Sequence, residues 1–79
     1  MTVTNKQIYA LRDEAIEHGD HVMEALCDIA LASALGKIPD INEEIRSDLE
    51  RLGVYECDVR NRDIARARCA EILNARNKS

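Results

Sequence analysis

Between Ala10 and Leu31 the apolar residues recur at helical spacing in two blocks. Leu11 and Ala15 precede Gly19-Asp20; Val22, Met23, Leu26, Cys27, Ile29, Ala30 and Leu31 follow it. This pattern predicts two amphipathic helices separated by a stop and a start. Gly19 supplies the left-handed residue that ends a helix, and the Asp20 carboxylate accepts the free N–H groups that open the next. Upstream, Thr4-Asn5-Lys6-Gln7 has the form of a capping box, so the first helix is expected over about 5–18, with Ile8, Leu11, Ala15 and Ile16 on its inner side. Arg12, Asp13, Glu14 and Glu17 are left toward water.

The second helix is expected over about 21–35, closed by Gly36, with a connection at Lys37-Ile38-Pro39. Its apolar stripe is wide enough to touch neighbours on two sides, which marks it as the central helix. Asp40-Ile41-Asn42-Glu43 repeats the capping-box form, and Ile41, Ile45, Leu49 and Leu52 then recur until Gly53, predicting a third helix over about 41–52. Val54-Tyr55-Glu56-Cys57 is too short and isolated to support a sheet. Asp58 or Asn61 can cap a last helix over about 59–76, with Ala65, Cys69, Ile72 and Leu73 on one side. The fold class is therefore all-α, a single four-helix domain spanning residues 1–79 with short connections.

Composition narrows the picture. A chain of 79 residues without Phe or Trp, and with Tyr9 and Tyr55 as its aromatics, builds one modest core from Leu, Ile, Val, Ala and Met. Self-association into a homodimer would help such a core. The formal charge is −4, but residues 1–57 hold five basic and twelve acidic side chains, whereas 58–79 hold six basic and three acidic. An acidic body and a basic final helix can pair with each other or offer two faces to a partner. Direct nucleic-acid binding is disfavoured by the overall sign. There is no apolar run long enough for a membrane helix, and the N-terminal MTVTNKQ lacks a signal-peptide core. Together with the odd, unpatterned set Cys27, Cys57 and Cys69, this predicts a cytoplasmic protein with reduced thiols.

Candidate chemistry is sparse. His18-Gly19-Asp20-His21 offers metal ligands, but the glycine separates the imidazoles onto different helices and no third ligand follows at a recognisable spacing. Acid pairs such as Asp13/Glu17 and Glu24/Asp28 read as solvated helix faces, and no base is identified beside a cysteine. There is no glycine-rich phosphate loop. The reading is of a non-enzymatic chain without a cofactor or a metal. A helix-turn-helix reading of residues 29–53 makes a DNA-binding regulator the alternative, yet its recognition helix would carry Asp40, Glu43, Glu44, Asp48 and Glu50 against Arg46 and Arg51. A homodimeric structural adaptor is the third reading.

The segment ALRDEAIEHGDHVMEALCDIAL, through Ala10-Leu11-Arg12, Glu14-Ala15, Gly19-Asp20, Leu26-Cys27-Asp28 and Ala30-Leu31, resembles a recurring motif of very short bacterial and phage-borne helical proteins. ARARCAEILNAR, residues 65–76, is similar to the Ala/Arg-rich helix that follows in them, and residues 36–57 look like an added helix. The resemblance implies a scaffold. It also implies a phage accessory role in the host cytoplasm, such as that of anti-CRISPR proteins, whose acidic faces occupy basic sites on a host protein or ribonucleoprotein complex. The expected partner-binding residues are Asp13, Glu17, Glu24, Asp28, Glu43, Glu44 and Asp48.

Overall fold

The structure, a computed structural model, describes residues 3–32, 41–54 and 59–77. Four helices occur among them: α1 (Asn5–His18), α2 (His21–Ala30), α3 (Glu43–Arg51) and α4 (Val59–Asn77). The protein is a small all-α domain. The expected Gly36 stop, the Lys37-Ile38-Pro39 connection, the Asp40 cap and Cys57 lie outside the described residues.

The boundaries of α1 and α3 and the start of α2 have local causes. Thr4 Oγ1 accepts from the Gln7 amide at 3.2 Å, and Gln7 Oε1 accepts from the Thr4 amide at 2.9 Å, completing the predicted capping box. Val3, just before the cap, and Ile8 are both buried and stand at the two positions of a hydrophobic staple. Gly19 has φ 70°, and the Asp20 amide reaches back to the Ala15 carbonyl at 2.8 Å, closing α1 in a left-handed cap. The Asp20 carboxylate then accepts from the Met23 amide at 3.1 Å and opens α2. Gly53, at φ 81°, ends the α3 segment in the same way, with the Val54 amide bonded to the Leu49 carbonyl at 2.9 Å.

Two boundaries differ from the sequence reading. Of the helix expected over 21–35, α2 runs to Ala30 and breaks at Leu31, which has φ −101° and ψ 7°, while residues 33–35 lie outside the described residues. The Ala30 carbonyl accepts from Arg66 Nη1 of α4 at 3.2 Å. The third helix starts at Glu43 because Asn42, not Asp40, is its cap, accepting from the Ile45 amide at 2.9 Å. Asn and Asp are equally good caps, so the sequence alone did not separate the two positions.

α2 is the centre of the domain, packed against α1, α3 and α4. Leu26, Cys27 and Ile29 are wholly buried, and Ala25, Ala30 and Leu31 nearly so, as expected of a helix that is apolar almost all round. Ile8 and Leu11 from α1, Leu49 from α3, Val54 after it, and Ala65, Cys69 and Ala70 from α4 complete the core. Fully burying a Leu or Ile side chain contributes about 1.5–3 kcal/mol, and these positions supply most of the apolar stabilisation. The radius of gyration, 11.5 Å, matches the roughly 11.6 Å expected of a compact chain of this length.

Candidate interaction surface

At about 100° per residue, Leu11 and Ala15 point α1 inward while Tyr9, Arg12, Asp13 and Ile16 share its outer side. Tyr9 is 37% exposed and Ile16 48%; Ile16 thus lies outside the buried stripe to which the sequence reading assigned it. Arg12 reaches across to α2, where its Nε donates to Asp28 Oδ1 at 2.5 Å. That hydrogen bond raises the guanidinium pKa above its ordinary value, against the opposing effect of burial, and the charges of Asp28, Glu24 and Asp13 add to it. Three of the seven predicted acids therefore gather round one arginine. The group of four carries a net charge of −2, beside two exposed apolar side chains.

The remaining predicted residues lie elsewhere. Glu17 is exposed one turn beyond Asp13 on α1. Glu43 and Glu44 are exposed in the first turn of α3, where the helix dipole favours carboxylates, and Asp48 is half-exposed and paired with Arg51 at 3.3 Å. Asp28 is the least available, because Arg12 holds it at the α1–α2 junction.

Three arginines of the final helix bond back onto their own domain. Arg66 donates to Val3 O at 2.8 Å, Asn5 Oδ1 at 2.8 Å and Ala30 O at 3.2 Å. Arg68 binds Leu52 O at 3.1 Å and Glu71 at 3.0 Å, while Arg76 binds Glu14 at 2.8 Å. The Arg76–Glu14 pair joins the acidic body of the chain to its basic final helix. Glu14, read as pointing into water, is consequently an anchor for α4.

A cleft of about 60 Å³ opens beside that Arg76–Glu14 pair, with Leu11, Ala15 and Met23 on its apolar side and His18 and Asp20 at its polar rim. Small-molecule sites typically span about 300–1,000 Å³, so this cleft fits the end of one side chain rather than a cofactor. His18 and Asp20 meet there without His21, and among the described residues no group of three or more His, Cys, Asp and Glu side chains is placed to hold a metal ion. No helix among them is long and apolar enough to cross a membrane.

Sequence reasoning missed Tyr9, Ile16, Glu14 and Arg76 as surface or anchoring residues. Helical phase separates Tyr9 and Ile16 from the buried stripe and is readable in the sequence, but nothing local links Glu14 to a residue at the far end of the chain. The chain matches no family model, no curated protein and no solved structure.

Proposed function

We propose that this chain is a non-catalytic protein-binding module of phage or prophage type, which inhibits a host defence complex by covering a basic surface on it. Its contact surface centres on the outer side of α1, where Tyr9 and Ile16 provide apolar contact and Asp13, Glu17 and Glu24 surround them with negative charge. Glu43 and Glu44 extend the acidic character onto α3. The observation that supports this reading is that Asp13, Glu17, Glu43 and Glu44 are exposed, while Arg66 and Arg76 bond back onto their own domain. A negatively charged face attracts lysine- and arginine-rich sites that ordinarily hold nucleic acid, and exposed aromatic and aliphatic side chains supply short-range contact once charge has steered the encounter. The resemblance of residues 10–31 and 65–76 to phage-borne helical proteins points to the same setting.

The test is phage plating on a host with an active RNA-guided defence. Expression of the chain is expected to restore plaque formation, and the variant E17K/E24K/E43K/E44K to lose that effect while keeping its helical circular dichroism. Ile16→Ser, at an exposed position, should weaken binding of the isolated defence complex by roughly tenfold with the fold intact. Failure of the unaltered chain to restore plating rejects the target class. Full restoration by the folded charge-reversed variant rejects the surface.

A further inference from the structure

The cleft beside the Arg76–Glu14 pair lies where the end of α1, the start of α2 and the last turns of α4 meet, away from Tyr9 and Ile16. Its two sides differ in chemistry. Leu11 and Ala15, both nearly inaccessible to water, and the part-buried Met23 form the apolar side. On the polar side Glu14 and Asp20 supply two carboxylates against the one guanidinium of Arg76, an excess of one negative charge. One oxygen of Asp20 caps α2 through the Met23 amide at 3.1 Å, and one oxygen of Glu14 holds Arg76 at 2.8 Å. Each carboxylate keeps a second oxygen able to accept a hydrogen bond.

We infer that this cleft is a binding site for a lysine side chain of a partner protein. About 60 Å³ takes only a few water-sized groups, which matches the last atoms of one side chain. The exposed His18 and Asp20 at the rim leave the cleft open, so the side chain lies along it: methylenes against Leu11, Ala15 and Met23, ammonium at the carboxylates. Lysine is built for such a division, with an apolar stem and a charged head that stays near water. An anion would meet two carboxylates there, and a wholly apolar group would strip water from them without replacing its hydrogen bonds. A guanidinium brings a wide planar fork, whereas the ammonium is compact and turns its three donors freely toward both acids.

The partner as source of that lysine rests on the function proposed above; the chemistry of the cleft does not. The site adds to that reading a second point of contact, on the opposite flank of α1 from Tyr9 and Ile16. It selects by side-chain type where the acidic outer face selects only by charge.

The test titrates the full-length ¹⁵N-labelled protein with Nα-acetyl-lysine N-methylamide at fixed pH and ionic strength, and in parallel with the norleucine counterpart, which keeps the stem and lacks the ammonium. A ligand this small binds in the millimolar range. The amide signals of Leu11, Ala15, His18 and Met23 are expected to shift along one saturating curve with the lysine compound, and about fivefold more weakly with norleucine. Asp20→Asn removes one charge while keeping a side chain that caps a helix equally well, so helical circular dichroism is retained and Kd rises about threefold. Shifts that never saturate, or that spread over the acids of α1 and α3 instead, mean charge attraction alone and overturn the site. Equal binding of norleucine by the unaltered chain overturns it without reliance on any variant, and so does an unchanged Kd in folded Asp20→Asn. A chain that fails to restore phage plating yet binds the lysine compound in this way keeps the cleft and loses only the target class, so the two readings fail separately.

Discussion

Gly19 isolates a single backbone requirement. Its φ of 70° is in the left-handed region, and a Cβ added there meets no atom within 4 Å, so Gly19→Ala tests conformation without collision. The substitution is expected to destabilise the domain by about 1–2 kcal/mol, read as a lower urea midpoint with an unchanged slope. Arg66 is the opposite kind of residue, since its role depends wholly on what lies around it. Its guanidinium fork satisfies the Val3 and Ala30 carbonyls together with the Asn5 side chain. A lysine carries the same charge but lacks the planar fork that spans several acceptors at once.

At the scale of the elements, that difference becomes a measurable one. Arg66→Ala leaves the Ala30 carbonyl, at the end of α2, and the Val3 carbonyl, before α1, without their donor; each part-buried group left unpaired costs about 1–3 kcal/mol. Arg66→Lys should recover part of the loss, visible as an intermediate urea midpoint. The helix starts and stops that depend on neighbours within five residues, at Thr4, Gly19, Asp20 and Gly53, were legible in the sequence because their partners lie within the same short window. The central position of α2 was legible too, from the width of its apolar stripe. The early end of α2 was not, because it coincides with a contact from Arg66, and the burial of Val54 was missed although an apolar residue directly after a left-handed glycine commonly packs back on its helix. Of the predicted contact residues, Asp13, Glu24 and Asp28 come together only through Arg12, a meeting across two helices that charge counting along the chain does not reveal.

For the molecule as a whole, the uneven charge along the chain becomes a division between joints and surface. Arg12 links α1 to α2, Arg66 links α4 to α1 and α2, Arg68 links α4 to the end of α3, and Arg76 links α4 to α1. These links also differ in how much chain they must close. α1 and α2 are sequence neighbours joined by a two-residue turn, so their pairing encloses almost no loop, whereas the Arg66 contacts to Val3 and Asn5 bring together residues more than sixty positions apart. Local contacts form before those that require closing a long loop, which gives the domain an order of assembly: the α1–α2 hairpin first, then the docking of α4. Arg66→Ala is therefore expected to speed unfolding and leave the refolding rate nearly unchanged in stopped-flow denaturant jumps, because the interaction it removes forms after the transition state.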